Sequence, residues 1–246
     1  MKINERYVPK NHANRPGDKL DDVLAFILHY TANDSPTATD TNNAKYISRP
    51  YKKINGIVYE VDGKTKFRYG SAHTFCDQDS VTRTIPYTEP SYGCGDRQLP
   101  YNNGYKGQTK LAHETFKHRQ NYRTINIEIC NNGDWEKSCN NAIEEIVWVI
   151  NTYKYPAVFL RHYDITGKIC PKPLIDEKKW NEFKNKIYAK LQPKKIKGVK
   201  KVTEEVKQIL RSAGTIVEHL ADGEPIEEQV NWLIKNYNIY KKNGGK

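Results

Sequence analysis

The chain is poor in several things that narrow its class. Its longest apolar runs, such as Val23–Leu28, fall far short of the roughly 18–20 residues that a bilayer span needs. The opening residues, MKINERYVPKNHANRP, hold no apolar segment of the kind a secretory signal carries, so the sequence reads as a chain synthesised in the cytoplasm without a signal peptide. Cysteine is scarce and odd in number: five thiols (Cys76, Cys94, Cys130, Cys139 and Cys170) argue against a disulfide framework and leave at least one for a metal or for chemistry. Hydrophobic residues make up only 37% and mean hydropathy is -0.84, yet 17 Tyr, 6 Phe and 4 Trp supply a core, which excludes wholesale disorder. There is no internal repeat and no low-complexity tract. At 246 residues the chain suits one large domain, or one medium domain with a small companion.

Positive charge is in excess. Forty Lys and Arg against 29 Asp and Glu give a net charge of +11, which favours a polyanionic partner: nucleic acid, an anionic membrane surface or an anionic cell-wall polymer. The lysines are spread over a linker and helices, with no aromatic platform between them, which argues against nucleic acid.

Residues 23–30, VLAFILHY, read as a strand buried on both faces and ending at His29. A loop and short helix follow, with Asp40 or Thr41 as the cap. Residues 57–87 suggest short strands joined by an Asp62–Gly63 turn, and 92–122 a long functional loop with a helical turn around Lys110–His118. In TINIEIC (124–130), Ile125, Ile127 and Ile129 face one side while Thr124, Asn126, Glu128 and Cys130 face the other. A carboxylate on such a polar strand face is a site candidate. Ile143, Ile146, Val147 and Ile150 mark an amphipathic helix, AVFLRHY (157–163) a strand ending in a histidine, and Trp180, Phe183, Ile187 and Leu191 a closing helix. Pro193 and the run KKIKGVKK then form a basic linker over 193–201, and 202–246 read as a small helical module. The fold class is therefore α/β, a mixed central sheet flanked by helices, with that module appended.

His29 and His162 stand at the C-terminal ends of buried strands, the edge where open α/β sheets build sites, and Cys170 follows eight residues after His162 in RHYDITGKICP. Two imidazoles and a thiolate with a fourth position open are the pattern of a catalytic zinc. Other motifs fail. HETFKH (113–118) has one residue too many for a zincin helix, since positions i and i+5 point about 140° apart on a helix. YGCGDR (92–97) has Gln98 where a dinucleotide fingerprint needs glycine, and there is no G-x-S-x-G or P-C-x-x-C motif.

FILHYTAN, SAHTF, TINIEICNN and RHYDITGKICP, in that order, resemble the zinc-dependent N-acetylmuramoyl-L-alanine amidases of the type-2 family, which includes phage endolysins, autolysins and peptidoglycan recognition proteins. The resemblance spans about residues 20–190 and is strongest to the endolysins of Bacillus and Clostridium phages. It implies Zn2+ held by His29, His162 and Cys170, Glu128 as the catalytic carboxylate and Lys168 as the group that stabilises the oxyanion. It also implies hydrolysis of the amide between N-acetylmuramic acid and L-alanine in peptidoglycan. The residue types suit that chemistry: a metal-activated water, a carboxylate to move its proton and an ammonium beside the oxyanion.

Many relatives carry a Tyr near the SAH histidine. Here Ala72, His73 and Thr74 leave that place without one, and His73 is read as a substrate contact or a support for the site. Tyr30 and Asn33 are read as lining the cleft. A non-catalytic peptidoglycan receptor on the same fold is the main alternative, and Cys170 argues against it, because such receptors usually lack that ligand. A host autolysin is the other. The resemblance gives 1–192 as the catalytic domain and 202–246 as a wall-binding candidate, in which Trp232, Tyr237 and Tyr240 would stack on sugars or pack a core. The alternative for this module is a packing or dimerisation element, and the oligomeric state stays open.

Overall fold

The computed structural model describes residues 1–95 and 107–191. The linker and helices expected over 193–246, with Trp232, Tyr237 and Tyr240, lie outside the described residues, as does 96–106 of the expected long loop. Among the described residues, eight strands and five α-helices follow in the order β1 Lys2–Glu5, β2 Ala25–Tyr30, α1 Asp40–Ile47, β3 Lys52–Ile54, β4 Ile57–Tyr59, β5 Thr74–Cys76, β6 Ser80–Arg83, α2 Lys110–Phe116, β7 Thr124–Ile129, α3 Trp135–Tyr153, β8 Phe159–Arg161, α4 His162–Thr166 and α5 Glu177–Leu191. The main sheet runs β1-β6-β5-β7-β2-β8, parallel at every neighbour except the antiparallel pair β5 and β6. It is the mixed sheet flanked by helices that the sequence implies. No helix among the described residues is long and apolar enough to cross a membrane.

Register partners project to the same face of a sheet. On one face Ala25 and Ile27 pack with Ala112 and Phe116 of α2 and Ile165 of α4, while Phe75 and Cys130 pack with Ile47 of α1. The opposite face carries α3 against β5, β6 and β7, and α5 beside β8, where Tyr188 meets Phe159. Because both faces are covered, β2 and β7 are almost wholly buried, which is why β2 reads as an unbroken apolar run.

Two local readings change and one hairpin is added. Thr39, not Asp40 or Thr41, caps α1: its hydroxyl accepts the Asn42 N–H, and Asp40 instead accepts from Ser80 and Thr82, tying the helix to β6. The hairpin turn between β3 and β4 is Asn55–Gly56, both left-handed, and Asp62–Gly63 makes the next reversal. The strand in AVFLRHY stops at Arg161, and His162 opens α4.

Buried ion pairs anchor the helices beneath the site. Arg83 donates to Glu145 at 2.6 and 3.1 Å, Tyr87 donates its hydroxyl to the same carboxylate at 2.7 Å, and the guanidinium lies 3.6 Å from the Trp148 ring centre. Glu145 is 0% exposed. Arg161, also buried, reaches Asp164, Glu177 and the Leu174 and Ile175 carbonyls, fixing the start of α4 against α5. Removing one member of a buried pair strands the other charge. We expect Glu145→Ala to lower the unfolding free energy by roughly 3–5 kcal/mol in urea titrations, and the exposed Glu182→Ala to change it by less than about 0.5 kcal/mol.

Candidate active site

β2 and β7 lie side by side in parallel, and their register sets His29 opposite Glu128. Both side chains therefore leave the same face, one residue before the strand ends. β8 flanks β2 on its other side, so His162, the residue after it, arrives beside His29. Cys170 is returned by the loop after α4: Tyr163 N–H donates to the Cys170 carbonyl at 2.9 Å, and Cys170 N–H to the Lys168 carbonyl at 2.7 Å.

His29 Nδ1 and His162 Nδ1 are 3.1 Å apart, and Cys170 Sγ is 3.9 Å from His29 Nδ1. All three residues are buried, and their donor atoms lie within 4.8 Å of one another. Burial, with the neighbouring His162 and Lys168, holds the His29 pKa well below the ordinary histidine value, so its ring is neutral near pH 7. Two imidazoles and a cysteine sulfur converging on one point are a donor set for a borderline-soft metal ion.

Glu128 is half-buried, and its Oε2 is shielded and has no hydrogen-bond partner among the described residues. Desolvation raises its pKa to about 7, against the opposing pull of the Lys168 ammonium. Lys168 itself is exposed on the loop that carries Cys170.

The remaining expected site residues divide. His73 is 0% exposed, and its nitrogens are committed to the Glu89 carbonyl, the Asn126 N–H and Ser91. Both ring nitrogens are thus taken up by partners inside the protein, away from solvent. Tyr30 pairs in register with Ile129, so strand alternation puts it on the sheet face opposite His29. Asn33 is exposed in the loop after β2. Its N–H and the Thr31 hydroxyl both donate to Asn131 Oδ1 at 3.0 Å, which ties that loop to the end of β7. The zincin argument also needs amending. α2 ends at Phe116, and left-handed Lys117 and His118 bring the His113 and His118 rings to 4.6 Å, apart from the donor set above.

Sequence reasoning missed Asn126 as a member of the site. Its Oδ1 lies 3.0 Å from His29 Nε2. The signal was present, since Asn126 shares the polar strand face with Glu128.

The profile of the family described as N-acetylmuramoyl-L-alanine amidase (Amidase_2) matches residues 19–173, which include every residue of the donor set and Glu128. The chain belongs to that family. It is 32% identical over 198 residues to the N-acetylmuramoyl-L-alanine amidase BlyA of Bacillus subtilis, covering 77% of this chain and 48% of that protein. It is 28% identical over 239 residues to the N-acetylmuramoyl-L-alanine amidase CwlL of Bacillus licheniformis, covering 95% and 59%. The chain thus spans about half the length of these relatives. Among solved structures, the catalytic domain of XlyA shares the fold, with a TM-score of 0.56 at 24% identity over 76% of this chain and 99% of that one.

The Glu128 environment makes a prediction that needs no metal. Its folded pKa of about 7 exceeds the ordinary 4.5, so the folded state keeps a proton that the unfolded chain releases. The carboxylate therefore costs stability as pH rises through that window, and the cost is complete above it. In the metal-free protein, Glu128→Gln should be more stable than the parent by roughly 1–3 kcal/mol at about pH 8 and equal to it near pH 4, by urea unfolding.

Proposed function

We propose that the chain is a zinc-dependent N-acetylmuramoyl-L-alanine amidase, hydrolysing the amide between the lactyl group of N-acetylmuramic acid and L-alanine of the stem peptide. The observation that carries this reading is the convergence of His29, His162 and Cys170 beside Glu128. Tetrahedral coordination at about 2.0–2.1 Å to nitrogen and 2.3 Å to sulfur spaces two nitrogens by roughly 3.3 Å and nitrogen from sulfur by roughly 3.6 Å. The spacings of 3.1 and 3.9 Å here fit that ion.

When bound, zinc supplies a Lewis acid that polarises the scissile carbonyl and makes water a nucleophile near neutral pH. Glu128 then acts at its unpartnered Oε2. It accepts the proton of the attacking water and delivers it to the amide nitrogen as the C–N bond breaks, so the carboxylate is regenerated and the alanine amine leaves neutral. Lys168 places its positive charge where the tetrahedral oxyanion develops. Asn33, exposed in the loop after β2, would line the cleft in this reading.

The family membership and the basic charge support action on peptidoglycan, with anionic wall polymers as a further attraction. We place the protein as a phage or prophage endolysin, made in the host cytoplasm and acting on a Gram-positive wall after release. Residues 202–246 would serve as its wall-binding or dimerising module.

The test is product analysis on purified Gram-positive walls. New L-alanine amino termini without new reducing sugar ends, abolished by chelation and in Cys170→Ser, are expected. Reducing ends in place of alanine termini would contradict the assignment, and sedimentation with walls without any product would favour a receptor. Glu128→Gln should lower kcat by about 10²–10⁴-fold while zinc stays bound.

A further inference from the structure

Asn126 lies two residues before Glu128 on the same strand face and is 0% exposed. Its neighbours fix its orientation as well as its place, through the direction in which each hydrogen bond must run. The Glu89 carbonyl can only accept, so His73 Nε2, 2.9 Å away, carries that ring's hydrogen and Nδ1 is an acceptor. That Nδ1 takes the Asn126 backbone N–H at 2.9 Å, and the Ser91 hydroxyl 3.0 Å away must point its hydrogen there as well. Thr124 spends its own hydroxyl hydrogen on the Gln120 carbonyl at 2.7 Å.

Both hydroxyls therefore offer Asn126 only lone pairs. Asn126 Nδ2 meets them at 3.0 Å (Ser91) and 3.4 Å (Thr124), so Oδ1 is left facing His29 Nε2 at 3.0 Å. An amide oxygen only accepts, so Nε2 holds the His29 hydrogen. Nδ1, the nitrogen nearest His162 Nδ1 and Cys170 Sγ, presents its lone pair. Gly93 completes the cradle, because a Cβ there would stand 2.5 Å from Asn126 Cγ and Oδ1.

We propose that Asn126 is a positioning residue that selects the Nε2–H tautomer of His29, through a hydrogen-bond chain running from the Glu89 carbonyl by way of His73 and Ser91, and that it thereby sets the metal affinity of the site. The affinity half rests on the metal reading given under Proposed function, whereas the tautomer half does not. Partners that fix a ligating imidazole in this way typically contribute 10–100-fold in metal affinity.

Long-range proton–nitrogen correlation spectra of the metal-free, nitrogen-15-labelled full chain test the first half. His29 and His73 should both appear as Nε2–H tautomers, and an Nδ1–H form of His29 overturns the proposal. Zinc affinity, measured by competition with a chromophoric chelator, tests the second half. Asn126→Ala should weaken binding by about 10–100-fold. The loss of affinity should come with a change in the His29 tautomer, a coupling that a purely structural role would not produce.

If Asn126→Ala does not fold, Ser91→Ala removes only the lock on the amide. It should yield a mixture of His29 tautomers and a several-fold loss of affinity. Unchanged affinity together with an unchanged tautomer in either variant overturns the proposal. A parent protein that shows the Nε2–H tautomer yet takes up no zinc overturns the affinity half and the metal reading together, leaving the tautomer assignment standing.

Discussion

The parallel register of β2 with β7 is the constraint on which the rest of the site depends. It sets His29 beside Glu128 on one sheet face, so an imidazole and a carboxylate occupy neighbouring positions on hydrogen-bonded strands. Their spacing is inherited from the sheet and not from loops, which gives the precision that catalytic groups need. A slip of one residue would send Glu128 to the opposite face and replace it with an isoleucine. β8 and α4 then add His162, and Cys170 is reached through backbone hydrogen bonds to the first turn of α4.

Building a site inside a sheet covered on both faces has an energetic consequence. Thr124, Asn126, His73 and Ser91 are wholly buried, and their hydrogen bonds to one another and to carbonyls offset their desolvation. Glu128 is treated differently. Its Oε2 lacks a partner among the described residues, and the pKa near 7 is the direct result. The fold satisfies the polar groups packed around His29 and leaves Glu128 Oε2 without a partner among the described residues, an environment that suits the proton-transfer role proposed for it.

Much of this was legible in the sequence, for reasons that can be named. The apolar run ending at His29 shows because β2 is buried on both faces, and Glu128 stands out because alternation isolates a polar face in TINIEI. The stripes of α3 and α5 follow helical spacing. What was illegible depends on contacts between distant residues. The burial of His73 is fixed by Glu89 and Asn126, and that of Glu145 by Arg83 and Tyr87, neither of which a local pattern reveals. Tyr30 was misread because proximity in sequence to His29 is not proximity across a strand. The Asp62–Gly63 reversal is where turn chemistry puts it, and the Asn55–Gly56 hairpin before it carries a signal of the same kind.

The central claim is that His29, His162 and Cys170 together hold one zinc ion. X-ray absorption at the zinc edge on the stoichiometrically loaded full chain tests it most directly. The account predicts one sulfur at about 2.3 Å and two imidazole nitrogens at about 2.0–2.1 Å, with one lighter donor completing four-coordination. The sulfur should vanish in Cys170→Ser. A zinc environment without sulfur in the parent protein, or one that Cys170→Ser leaves unchanged, would contradict it.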